Sequence, residues 1–286
     1  MNNILITGAN GQLGKAIQKV SYNCDYNFIF ANKETLDITD KDKLEKLIKN
    51  KQIDIIINTA AYTAVDKAED EKEKAYLINF KAVKNLANVC KENDVCLIHI
   101  STDYVFDGRN YVPYKEEEDK TNPINVYGDS KLKGEQAILS IKPKSLIIRT
   151  SWVYGEDGFN FVKTMLNLAK SKNTLKVIYD QIGTPTYAKD LANAILNIIK
   201  QPLQDKVEIY HYSNEGVCSW YDFAKAIFEI KGISIDVSPI NTNEFKTKAK
   251  RPNYSVLSKE KIKNHYNIRI PYWRESLKKM LKEYND

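Results

Sequence analysis

The chain is poor in the residues that mark metal, disulfide or redox proteins: its 286 residues include only four cysteines and three histidines. Cys24, Cys90, Cys96 and Cys218 form no CxxC pair and stand near no histidine cluster. That argues against a zinc site or a disulfide framework and fits a reducing compartment. No apolar run approaches the roughly 20 residues needed to cross a bilayer. The opening stretch, MNNILITGAN, lacks the positive and apolar regions of a secretory signal. The expectation is a cytoplasmic protein with no membrane partner. A basic block is missing as well. The formal charge is +6, with lysines scattered among acids. That speaks against nucleic acid as a partner but leaves room for a local patch facing an anionic small molecule. Neither an internal repeat nor a low-complexity linker interrupts the chain.

What is present is ordinary globular composition, 43% hydrophobic and 28% charged. The length suits one large domain or two modest ones. Short isoleucine-rich runs at 3–7, 27–30, 53–58, 95–101 and 145–151 lack strict polar alternation, so they read as strands buried on both faces. The stretches at 11–20, 40–50, 74–93 and 127–140 place apolar residues at three- and four-residue spacing, the pattern of amphipathic helices. Repeated strand–helix units of this size predict a Rossmann-type, doubly wound parallel sheet of the α/β class. Residues 1–151 form the expected dinucleotide-binding domain, with 175–200 returning to it. Residues 152–174 and 201–286 form a smaller α/β substrate-binding region.

Directly after the first strand comes TGANGQLG, with Gly8, Gly11 and Gly14. Glycine is needed where such a loop turns tightly, where backbone must approach a pyrophosphate, and where the helix must lie close to the strand. The helix start then offers free amides and a favourable dipole to phosphate oxygens. The second strand ends without the acid that would hold a ribose 2′-hydroxyl, whereas Lys33 lies close by and could meet a 2′-phosphate. NADPH is therefore favoured over NADH. Asp37, further on, has two readings, a cap for the next helix or a contact to the adenine.

Ligands of open α/β sheets bind beyond the carboxyl ends of the strands. The third strand runs into NTAAYT, whose Ala60 and Ala61 leave room for a cofactor or simply permit a turn. The fourth runs into STDYVFDG, so Ser101, Thr102 and Tyr104 point hydroxyls at the expected crevice, while His99 reads as a core residue. About 25 residues later, NVYGDSKLKGE sets Tyr127 and Lys131 one helical turn apart. Spacing alone fits either a catalytic pair or a solvated stripe.

A glycine loop, a strand-end hydroxyl and YxxxK in this order resemble the short-chain dehydrogenases/reductases. Further motifs narrow the likeness: STDYVFDG, NPINVYGDSKLKGE, IIRTSWVYGEDGFNFV, DQIGTPTYAKDLA, YHYSNEGVCSWYDFA and AKRPNYSVLS. Together they resemble the dTDP-4-dehydrorhamnose reductase family of that superfamily, over nearly the whole chain. The resemblance implies reduction of the 4-keto group of dTDP-6-deoxy-L-lyxo-4-hexulose by NADPH or NADH, giving dTDP-L-rhamnose, in a monomer or homodimer. It implies Thr102, Tyr127 and Lys131 as the catalytic set. Gly11, Gln12, Leu13, Asp37, Ile38, Ala60, Ala61 and Thr63 would contact the cofactor, and Tyr104 and Trp152 the sugar nucleotide. Trp152 could equally be core, and Arg251 could neutralise the substrate diphosphate or be an ordinary surface arginine. Some relatives use Mg²⁺ through carboxylates. Glu69 and Asp70 are available here, but no ligand spacing supports a metal site, so none is assigned. Competing readings are a non-catalytic nucleotide-binding regulatory subunit, of the kind that partners methionine adenosyltransferase, and a reductase or epimerase of another nucleotide sugar.

Overall fold

The computed structural model describes residues 2–284; Met1, Asn285 and Asp286, at the outer limits of the two expected regions, lie outside the described residues. Five strands follow one another as the sequence predicts: β1 (Asn3–Thr7), β2 (Asn27–Ala31), β3 (Ile53–Asn58), β4 (Cys96–Thr102) and β5 (Ser145–Thr150). A sixth, β6 (Thr174–Ile178), lies elsewhere, and β7 (Val207–His211) completes a six-stranded sheet of order β7-β5-β4-β3-β1-β2. Every pairing within it is parallel. Burial on both faces explains the isoleucine runs. Ile4, Ile6, Ile55, Ile57 and Ile98 face one core layer, while Leu5, Ile56, Leu97 and Ile147 face the other.

The first layer is closed by α1 (Gln12–Val20) and by a later helix, Ala188–Ile198. The second is closed by α2 (Lys41–Lys51) and by a long helical stretch after β3. That stretch holds α3 (Val65–Ala68), α4 (Lys72–Tyr76), a π-helical turn Leu77–Lys81 and α5 (Ala82–Glu92). The sequence predicts one continuous helix over 74–93. The widened π turn is a correction, and such turns cluster at functional sites. Helix α6 (Val126–Ile141) follows β4, its start capped by the Asn125 side chain on the Gly128 amide at 2.7 Å. Asp40, not Asp37, caps α2 by accepting from the Lys43 amide, so the capping reading of Asp37 falls.

Two placements differ from the sequence reading. The strand at 174–178, expected to return to the nucleotide-binding half, pairs with β8 (Asp236–Ile240) in a separate two-stranded sheet. The strand at 207–211, assigned to the substrate region, extends the main sheet beside β5. The helix at 188–198 packs in the first core layer, against the main sheet. With α7 (Phe161–Ala169), α8 (Ala188–Ile198) and α9 (Trp220–Lys231) named in chain order, a third core joins α7, α9 and the β6–β8 sheet through Val162, Phe223, Ile227 and Val237. No helix among the described residues is long and apolar enough to cross a membrane.

Candidate active site

The carboxyl ends of β1, β3, β4 and β5 open into one continuous cleft. Its first chamber is lined by Gly8, Gly11, Lys33, Asp37, Ile38 and Ala60. The second, about 560 Å³, is lined among others by Gln12, Leu13, Thr63, Thr102, Tyr127 and Lys131. Gly11, Thr59 and Ala61 border both chambers, so a long two-ended molecule fits along the sheet edge.

The first chamber suits a dinucleotide on the structure's own terms. Gly8 has φ +68°, and a β-carbon there would lie 2.6 Å from the Ala60 backbone nitrogen. The loop therefore accepts only glycine and lies flush against the strand end. A β-carbon on Gly14 would lie 2.6 Å from the Gly8 carbonyl oxygen. Gly14 thus sets how close α1 sits to the loop and does not itself border the cleft. No side chain caps α1 at Gly11, which leaves its first amides directed at an anion. Asp37 accepts from the Thr39 amide (2.9 Å) and hydroxyl (2.8 Å), bonds that hold its carboxyl below the usual range.

The second chamber brings the predicted catalytic residues together. Tyr127 and Lys131 share one face of α6, opposite Thr102 at the end of β4. Lys131 is almost wholly buried and its Nζ donates to the Ile100 carbonyl at 2.6 Å. Burial pulls its ammonium down to about 8, against the pull of Glu135. Burial also pushes the Tyr127 phenol up to about 12, with the Thr102 hydroxyl offsetting part of the rise. A neighbouring ammonium would by itself favour the phenolate, but the shift here is upward, with desolvation its largest cause and Asp103 adding to it.

Tyr104 packs edge-on against Tyr127, ring centroids 5.7 Å apart. Trp152 lines the same chamber and is not simply core. Ser101 borders the chamber, but its hydroxyl is committed to Glu135 at 2.5 Å. Glu135, one turn beyond Lys131, also takes a buried ion pair from Arg149 at 2.7 Å. His99 is a core residue, wholly buried and joined to Asn58 through Nδ1 at 2.9 Å.

Arg251 is not free. It makes a forked pair with Asp66, 3.2 and 2.6 Å. Glu69 accepts from the Val126 amide at the start of α6, and Asp70 pairs with Lys248. Among the described residues no cluster of three or more metal-type side chains occurs. Sequence reasoning missed Asp103, Phe159 and Trp220, all of which line the second chamber. The motifs SWVYGEDGFNF and VCSWYDFA contain the two aromatics, but nothing in their spacing shows that they meet.

The geometry agrees with comparisons to known proteins. The family model described as the RmlD substrate binding domain matches residues 1–286. The chain is 44% identical to the spore coat polysaccharide biosynthesis protein SpsK of Bacillus subtilis, over 99% of this chain and 98% of that one. It is 43% identical to the dTDP-4-dehydrorhamnose reductase of Aggregatibacter actinomycetemcomitans, over 97% and 98%. A crystal structure of dTDP-4-dehydrorhamnose reductase from Bacillus anthracis in complex with NADP superposes with a TM-score of 0.94 at 40% identity, covering 99% of this chain and all of that one. The chain belongs to the dTDP-4-dehydrorhamnose reductase family.

Proposed function

We propose that this chain reduces the 4-keto group of dTDP-6-deoxy-L-lyxo-4-hexulose to give dTDP-L-rhamnose, with a reduced nicotinamide cofactor as partner. One observation carries the reading: a strand-end hydroxyl, a tyrosine and a buried lysine meet in a chamber continuous with a glycine-lined phosphate cradle. The family relationship supplies the substrate class.

Gly8, Gly11, Gln12, Leu13, Ala60, Ala61 and Thr63 would hold the dinucleotide, with Asp37 and Ile38 at its adenosine end. When bound, the cofactor supplies a hydride to the ketone carbon, whose electron pair moves to oxygen. Tyr127 gives its proton to that oxygen, so no free alkoxide forms. A phenol held near 12 stays protonated at neutral pH and is still a far stronger acid than the alcohol it makes, which suits a donor. Thr102 orients the oxygen from the other side. Lys131 would hold the nicotinamide ribose and stabilise the phenolate left behind. Tyr104 and Trp152 would contact the sugar, whose apolar face suits a flat indole. Arg251 would neutralise the diphosphate. No Mg²⁺ role is assigned.

Lys33, at the adenosine end, supports NADPH as the better cofactor. Equal Michaelis constants for NADPH and NADH would remove Lys33 from recognition. The whole reading is tested by following reduced-nicotinamide absorbance with the thymidine and uridine forms of the 4-keto sugar. Consumption of one cofactor per thymidine-linked sugar is expected. Consumption of neither form overturns the assignment.

A further inference from the structure

Among the described residues Trp152 is one of five non-glycine residues whose backbone is left-handed, with φ 47°. Bulky side chains rarely adopt that region, and they persist there only where surroundings impose it. The structure shows two such constraints. Trp220 lies face to face with the Trp152 indole, ring centroids 3.5 Å apart and planes 9° from parallel. Aromatic pairs left to themselves prefer offset or edge-on contacts. Gly183 bounds the indole from another side. A β-carbon there would stand 2.7 Å from Trp152 Cε2, 2.8 Å from Cζ2 and 2.9 Å from Ser255 Oγ. Its backbone does not need glycine, so the space does.

Both constraints come from one small unit. Residues 182–183 pair antiparallel with 218–219, and Trp220 follows at once as the first residue of α9. Ser219 and Asp222 lock that helix start with reciprocal hydrogen bonds of 2.9 and 3.0 Å. Phe161 packs on Trp220 at 4.6 Å between centroids. Trp152, Trp220 and Phe161 all line the chamber that holds Tyr127.

We propose that Trp220 and Gly183 form a clamp that fixes the Trp152 indole as a rigid wall for the sugar ring of the nucleotide sugar. Trp220 is then a positioning and specificity-determining residue. The inference rests on the reading of Trp152 as a sugar contact. A wall ordered before the substrate arrives spares the cost of ordering it during binding. The clamp therefore acts on the Michaelis constant for the sugar and not on that for the cofactor.

The test combines far-ultraviolet circular dichroism with steady-state kinetics on the full chain. Two stacked indoles couple their transitions and give a bisignate band that separated indoles lack. The wild type should show this band, Trp152→Phe and Trp220→Phe should each abolish it, and Trp273→Phe should keep it. Gly183→Ala retains all three tryptophans and should still weaken it. Trp220→Ala and Gly183→Ala should raise KM for the nucleotide sugar about three- to tenfold, the range of an aromatic contact, with cofactor KM unchanged. The clamp is overturned if Gly183→Ala keeps both the band and the sugar KM. It is equally overturned if Trp220→Ala leaves the sugar KM unchanged while Trp152→Ala raises it, or if sugar and cofactor constants rise in parallel. An unchanged sugar KM in Trp152→Ala sinks the underlying reading of Trp152, and the proposal with it.

Discussion

Burial displaces Tyr127, Tyr104, Lys131 and Asp103 from their ordinary states. Asp103 shows the effect most plainly. One of its carboxylate oxygens accepts from Thr102 at 3.0 Å and the other has no partner among the described residues. Burial pushes the group up to about 7 from an ordinary 3.8, a rise that hydrogen bonding only partly offsets. A folded state that keeps a proton the unfolded chain has released loses stability as pH rises through that window. The D103N variant carries no such term. Its stability relative to wild type should therefore improve as pH rises from about 4 to about 7 and stay level above, as chemical denaturation would show. A constant difference across that range contradicts the buried-acid account. Lys131, held at about 8, predicts a different limb. If its ammonium holds the ribose, kcat/KM for the cofactor should fall above that pH, because this ratio reports groups of the free enzyme. A profile flat well beyond it removes the charged lysine from cofactor binding.

Elements place these residues, and most elements were legible. Buried parallel strands declare themselves by isoleucine runs, and α1 and α6 by apolar spacing after a strand. The glycine loop was legible because its conformational demands are local: Gly8 needs a left-handed backbone and Gly14 needs space. Gly14→Ala should push α1 away from the loop and weaken cofactor binding at least tenfold, measured by fluorescence titration; unchanged affinity would mean that the helix position is unimportant. The π turn at 77–81 was not legible. It depends on Asn79, whose side chain bonds both backbone groups of Tyr62 and the Ser130 hydroxyl, contacts made far along the chain. The same holds for Glu135. In the sequence it is one more acid on a helix, yet it is wholly buried against Arg149 and Ser101. Removing one partner of a buried pair strands the other charge, so Glu135→Ala should cost about 3–5 kcal/mol in denaturant unfolding. A loss below about 1 kcal/mol would mean that water reaches Arg149.

At the scale of the whole molecule, residues remote in sequence are tied together. Arg251 and Asp66, 185 residues apart, join the C-terminal segment to helix α3. Asp66 is half-exposed and Arg251 mostly covered, so water screens the pair only in part and Asp66→Ala should cost about 1 kcal/mol. If the guanidinium also serves the diphosphate, Arg251→Ala should raise KM for the nucleotide sugar while Asp66→Ala should not. Equal effects from both variants would make Arg251 a strut. Which strand joins which sheet is likewise a long-range matter. Strands β6 and β7 are both short, and their own residues do not say that β7 lies beside β5 while β6 lies beside β8. For the same reason the stacked tryptophans, 68 positions apart in the chain, escaped the sequence reading.

The central claim is that the Tyr127 hydroxyl delivers the proton that completes the reduction. Single-turnover loss of reduced-nicotinamide absorbance, with Tyr127→Phe saturated by NADPH and then mixed with the thymidine-linked 4-keto sugar, tests it directly. The expected result is normal cofactor affinity with a rate about 10²–10⁴-fold below wild type. A variant that binds NADPH normally and turns over within tenfold of wild type would contradict it.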